Sequence, residues 1–69
     1  MSDLIQIQLN GAVRSFQKPI CVSEMIVAEN ISGRFIVVIN TTVLPRLQYA
    51  STYLNHGDKV DIMSPISGG

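Results

Sequence analysis

Apolar and polar residues alternate cleanly near the start of the chain. In Leu4-Ile5-Gln6-Ile7-Gln8-Leu9, residues Ile5, Ile7 and Leu9 share one face, the pattern of a half-buried strand. Asn10-Gly11 follows, a pair that accepts the positive φ angles of a tight hairpin turn. Ala12 to Gln17 then reads as the antiparallel partner, with Ala12, Arg14 and Phe16 on one face and Val13 on the other. Pro19 cannot donate to a ladder and ends the segment.

The period changes after Pro19. Val22, Met25 and Ile26 stand at i, i+3 and i+4, one buried stripe of a helix within Cys21 to Asn30. The next stripe position is Glu29, so either the helix is short or its face rotates toward Val27 and Ile31. Cys21 or Ser23 occupies the cap. Ser23 is the better capping residue, but the stripe needs Val22 inside the helix. Gly33 can take the left-handed conformation that ends such a segment.

Phe35-Ile36-Val37-Val38-Ile39 is apolar on both faces, as central strands are. Asn40-Thr41-Thr42 reads as a turn, and Val43-Leu44 as a short strand stopped by Pro45. Leu47 to Leu54 is ambiguous: Pro45 could open one helical turn, with Tyr49, Tyr53 and Leu54 pinning it to the core. His56-Gly57-Asp58 is a turn. Lys59 to Ser64 alternates again, with Val60 and Ile62 opposite Asp61 and Met63.

The order is therefore strand, strand, helix, strand, short strand, strand. It predicts an α+β fold: a mixed sheet of four or five strands, one main helix on one face, and the first and last strands as parallel neighbours at the centre. Ile5, Ile7, Val22, Met25, Ile26, Val37, Val60 and Ile62 are the expected core. Residues 1–64 form the domain and 65–69 an extended, exposed tail ending in Gly68-Gly69. One helix covers one face only, so part of the far face should stay exposed and adhesive. Phe35, Ile36, Val38 and Met63 are the candidate docking residues.

Composition narrows the function. The chain has 69 residues, 46% apolar and 14% charged, with five Lys/Arg against five Asp/Glu. That is a folded domain with no basic surplus, which argues against nucleic-acid binding and against a polybasic membrane segment. Sixteen Ile and Val against five Leu favour β structure. One cysteine and one histidine leave no internal disulfide and argue against structural zinc. No apolar run is long enough to span a bilayer, and no signal-peptide pattern is present. The expected setting is the cytoplasm.

Candidate chemistry is sparse. His56 reads as a solvated turn residue and Cys21 as a small buried one. Asp58 and Asp61 are three apart along an extended segment, on opposite faces, and form no catalytic pair. There is no phosphate loop or metal motif. The tail differs: Gly68-Gly69 has no Cβ to obstruct a narrow channel, so its carboxylate could enter another protein's active site.

The chain resembles the ubiquitin-like sulfur carrier proteins, most closely the thiamine-biosynthesis carriers. Ile7-Gln8-Leu9-Asn10-Gly11 resembles the family's first hairpin, and Val22 to Ile26 the start of its helix. Val38-Ile39-Asn40 with Val43-Leu44-Pro45-Arg46 resembles its Val-Asn…Val-Pro-Arg signature. Leu54, Gly57-Asp58 and Val60-Asp61-Ile62 resemble its Leu-x-x-Gly-Asp-x-Val-x-Ile run, and Ile66-Ser67-Gly68-Gly69 its tail. The order and spacing of these pieces carry the resemblance. Thr41 stands where the family often has Gly, which points to another type of turn. Tyr49 replaces a frequent Trp, and Glu29 an apolar helix residue. Ser64-Pro65-Ile66 also resembles the end of the molybdopterin-synthase small subunit, a related carrier; Pro45-Arg46 and the short length favour the thiamine type.

The resemblance implies a β-grasp fold and a carrier rather than an enzyme. The Gly69 carboxylate would be adenylated by an E1-like (ThiF-like) partner using ATP and converted to a thiocarboxylate. The sulfur would then pass to thiazole synthase (ThiG-like). Ile66, Ser67 and Gly68 would form the tail threaded into the partner. No cofactor would be bound by the chain itself. A ubiquitin-like interaction module with an incidental tail, or a conjugating modifier, is the competing reading.

Overall fold

The computed structural model describes residues 3–64. Five strands form a single sheet: β1 (Leu4–Leu9), β2 (Ala12–Gln17), β3 (Ile36–Ile39), β4 (Thr42–Leu44) and β5 (Lys59–Met63). One helix, α1 (Val22–Ala28), follows β2, and a single 3-10 turn, η1 (Arg46–Gln48), follows β4. The sheet order is β2-β1-β5-β3-β4, with β1 and β5 parallel and the other pairs antiparallel. The last strand in sequence is thus the central one, beside the first, as the alternation predicts.

The core lies between α1 and one face of this sheet. Ile5, Ile7 and Leu9 of β1, Val37 of β3 and Val60 of β5 are buried with Val22 and Met25 of α1, and Ile20 and Leu54 close the end. Six of the eight expected core residues are fully buried. Ile26 and Ile62 are partly buried and pack against the cluster from its margin.

The helix is short, which settles the Glu29 problem. Cys21 is its N-cap and Ala28 its last residue; Val27 stays 76% exposed, so the face does not rotate toward it. Glu24 returns to the cap, its Oε1 accepting the Cys21 N–H at 3.0 Å, a contact favoured at a helix N-terminus. Ser23 therefore sits inside the helix. Glu29 meets Arg14, whose Nε donates to Glu29 Oε1 at 3.2 Å. Arg14 pairs with the buried Ile7 across β1·β2 and so faces the helix side. An ion pair thus closes the edge of the core where an apolar residue would otherwise stand. Arg14 is half-exposed and Glu29 partly buried, so solvent screens the pair and it contributes about 1 kcal/mol or less.

Pro45 does open a helical turn. Its extended backbone leads into η1, and Tyr49 then packs partly buried against the core with its ring stacked on Phe35, centroids 6.2 Å apart. Leu54 is buried, whereas Tyr53 is exposed and contributes a backbone bridge to Cys21.

These packing differences set an expectation for α1. Met25→Ala should cost about 2–5 kcal/mol, the range for a fully buried large side chain. Ile26→Ala should cost clearly less, because its site is partly open to water. Urea unfolding of the two variants gives the comparison.

Candidate functional site

The candidate reactive residues follow β5 in sequence, so the geometry that matters is that of this strand. β5 holds its place through side chains as well as ladders. Val60 pairs with Leu9 on one side and Ile39 on the other, and is fully buried. Beyond these ladders, two turn asparagines reach onto β5. Asn10 Oδ1 accepts the Ile62 N–H at 2.8 Å, and Asn40 Oδ1 accepts the Lys59 N–H at 3.0 Å. Their own backbone N–H groups donate to Val60 and Lys59 carbonyls. Each asparagine thus continues a neighbouring strand's hydrogen bonding after that strand has turned away.

Both asparagines have left-handed backbones, φ 51° at Asn10 and 48° at Asn40. Asparagine tolerates that region better than other residues with side chains. The second turn residues are Gly11 at φ 85° and Thr41 at φ 71°. The β1–β2 and β3–β4 connections are therefore both two-residue turns with two positive φ values, the type I′ pattern. The expectation of another turn type at Thr41 is corrected here. The strand twist demands the same turn, and Thr41 adopts it against its β-branched preference, its hydroxyl bonded to the Asn40 carbonyl.

Asp58 completes the clamp. One carboxylate oxygen accepts from Asn40 Nδ2 at 3.0 Å, and the other from the Asn55 N–H at 2.8 Å. His56 is more than a solvated turn residue. Its Nδ1 accepts the Gln6 N–H at 3.0 Å, standing in for a backbone carbonyl where the β1·β5 ladder begins. The neutral ring then carries its proton on Nε2. Cys21 is buried and unpaired, as its apolar neighbours imply. Among the described residues no group of His, Cys, Asp or Glu is arranged to hold a metal ion. No helix among them is long and apolar enough to cross a membrane.

The structure divides the candidate docking residues. Ile36 pairs with Met63 and Val38 with Val43, so these four share the sheet face opposite α1. Ile36 is 44% exposed, Met63 54% and Val43 61%. Val43 belongs with the expected set; its alternation with Leu44 in the short strand was the available signal. Phe35 parts from the others: it lies on the helix side, packed against the core and stacked on Tyr49. The apolar patch covers only the β3–β4 half. Toward β1 and β2 the same face is mostly polar, with Gln6, Gln8, Ser15 and Gln17 around the exposed Leu4 and Val13, and Asp61 of β5 pairs with Val38 between the two halves. The candidate tail residues Ile66, Ser67, Gly68 and Gly69 lie outside the described residues, as does Pro65.

The comparisons with known proteins now decide the family. The ThiS family model matches residues 7–69. The chain belongs to the ThiS family. It is accordingly a small sulfur-carrier-type protein and not itself an enzyme. Two relatives, each named uncharacterized protein ycf40, come from Porphyra purpurea and Pyropia yezoensis. Each is 35% identical over 66 residues, covering 94% of this chain and 93% of the relative. The fold matches the crystal structure of the thiamine biosynthesis protein ThiS from Geobacter metallireducens, with a TM-score of 0.82. That match has 23% identity and covers 94% of this chain and 100% of the other. The sheet of mixed direction with one helix is the β-grasp fold of that ThiS structure.

The β3–β4 turn gives a test with two opposite signs. Asn40→Gly keeps the backbone freedom but removes the bonds to Lys59 and Asp58, and should cost about 1 kcal/mol or more. Thr41→Gly relieves the left-handed strain and should add about 1 kcal/mol. Chemical denaturation midpoints of the two variants, on either side of the parent, are the expected result.

Proposed function

We propose that this ThiS-family chain carries sulfur on the carboxylate of Gly69 and donates it for thiazole formation in thiamine biosynthesis. The observation that carries this reading is the family match running through residue 69, so that Ile66-Ser67-Gly68-Gly69 falls inside it. The matching structure is that of a thiamine biosynthesis protein, which supports the same pathway.

The chemistry follows from the weakness of a carboxylate as an electrophile. In an E1-like adenylating partner, the Gly69 carboxylate oxygen attacks the α-phosphorus of ATP and pyrophosphate leaves. The terminal sulfur of a persulfide then attacks the acyl carbon, and AMP leaves. A second thiol cleaves the resulting sulfur–sulfur bond, releasing the thiocarboxylate and forming a disulfide. In thiazole synthase the sulfur passes to the acceptor, an oxygen from water or from the acceptor's carbonyl takes its place on the acyl carbon, and the carrier returns to a carboxylate. This chain contributes the reactive end and the surface that presents it; the ATP and the catalytic groups belong to the partners. The free Cys21 suits a reducing compartment such as the cytoplasm, and it takes no part because the sulfur rides on Gly69.

Docking is assigned to the uncovered apolar patch of Ile36, Val38, Val43 and Met63. It flanks the end of β5, the strand that precedes the tail in sequence. Phe35, on the other side of the sheet, is left out of this contact.

ATP–pyrophosphate exchange with an E1-like adenylating enzyme tests the proposal. The full chain should support exchange, and its C-terminal peptide should then show one oxygen replaced by sulfur when a persulfide donor is added. Deleting Gly69 should abolish exchange with stability unchanged. Gly68→Ala should slow exchange without affecting folding, because a Cβ obstructs a narrow channel. Val38→Asp should weaken exchange through partner affinity, with the circular dichroism spectrum retained. Undiminished exchange by the Gly69 deletion would overturn the reading.

A further inference from the structure

On the helix side, opposite the apolar patch, a groove runs between α1 and η1. Its apolar half has a volume of about 490 Å³ and is walled by Ile26 and Val27 of α1 and Leu47 of η1. The stacked Phe35 and Tyr49 form its floor and continue into a recess of about 310 Å³ that Arg34 and Arg46 also line. The groove is thus apolar at one end and cationic at the other.

Neither end is satisfied by the chain's described residues. Val27 is 76% exposed and Leu47 97% exposed, the largest exposures among its big aliphatic side chains. Neither the Arg34 nor the Arg46 guanidinium has an ion-pair or hydrogen-bonding partner among the described residues, while that of Arg14 is held by Glu29. No acidic residue lines either part of the groove. Glu24, on the adjoining surface of α1, already accepts the Cys21 N–H. Two unneutralised guanidinium groups therefore converge beside an apolar trough in a chain of zero net charge.

We propose that this groove binds an extended segment of a partner protein that carries a carboxylate side chain next to a large aliphatic one. The carboxylate pairs with the Arg34 and Arg46 guanidinium groups, which suit planar oxygen pairs. The aliphatic side chain covers Leu47 and Val27 against the aromatic floor. A small anion would satisfy the arginines and leave both aliphatics in water. A second copy of the chain, joined across a two-fold axis, would bring four guanidinium groups together without an acid to neutralise them. The site is independent of the carrier reading, since it lies on the other side of the sheet from the docking patch and uses none of its residues.

Selection from a random peptide library on the full-length chain, with the Arg34→Ala/Arg46→Ala variant as counter-selector, tests the proposal. Asp or Glu adjacent to Leu, Ile or Phe should be enriched. An enriched peptide, synthesised with both ends blocked, should shift the amide resonances of Gly33, Phe35, Leu47 and Tyr49 in the labelled protein. Its affinity should fall about ten-fold or more in the double variant and in high salt. Leu47→Ser, at a fully exposed site, should weaken binding without affecting the fold. Failure to enrich acidic sequences, or shifts confined to Val38 and Val43, would overturn the proposal. So would tighter peptide binding after truncation at Ser64, which would make the chain's own tail the occupant. Dimerisation lost on Leu47→Ser would overturn it in favour of a second copy. ATP–pyrophosphate exchange is read on the full-length chain and peptide binding on the groove variants, so the two proposals fail separately.

Discussion

Burial of Val60 is the constraint on which the other features depend. Val60 lies in the last strand but at the middle of the sheet, shielded by α1 and paired with Leu9 and Ile39. Both partners must already be in place for it to be covered, so β5 closes contacts between distant parts of the chain. Loop closure makes such contacts costly, and apolar burial together with the ladder hydrogen bonds offsets that cost. The side chains of Asn10, Asn40, His56 and Asp58 then occupy the strand's ends, where neighbouring ladders stop. A segment that follows such a strand starts from a position set by the whole domain rather than by a local loop.

A second constraint is how little one short helix can cover. At about 1.5 Å per residue, the seven residues of α1 span roughly 10 Å. That is enough to seal Ile5, Ile7, Val37 and Val60, but not the margins where Phe35, Ile26 and Ile62 stay partly open. The opposite face has no cover among the described residues. A domain of this size therefore keeps apolar surface on both sides of its sheet, near β3 and near η1. Such surface is a liability in an isolated protein and an asset in one that meets partners.

Much of this was legible in the residues. Period-two alternation located β1 and β5, and the stripe of Val22 and Met25 oriented α1, because each pattern has one solution that buries its apolar set. Phe35 was harder. In a run apolar on both faces, parity separates Phe35 from Ile36, but only the Tyr49 ring shows which side is filled. Glu29 and Arg14 misled individually; each breaks an apolar pattern, and the two are far apart in sequence, so their pairing appears only when the strand and the helix end meet. Thr41 was hidden for a different reason. Its intrinsic preference points away from a type I′ turn, and the strand twist overrides it.

The residues that carry the family resemblance are mostly spent on the clamp. Asn40 holds Lys59, Asp58 holds Asn40 and Asn55, Pro45 opens η1, and Val60 with Ile62 faces the core side. Among the described residues, none of these positions is arranged for chemistry. The signature therefore specifies where the strand before the tail is held. Partner choice must then reside in residues the signature leaves free. In this chain those are the side chains of Ile36 and Met63 on one side, beside Val38 and Val43 of the signature stretches, and of Arg34 and Leu47 on the other. Arg46 is a signature residue whose guanidinium has no partner among the described residues, and it lies where the second surface turns cationic.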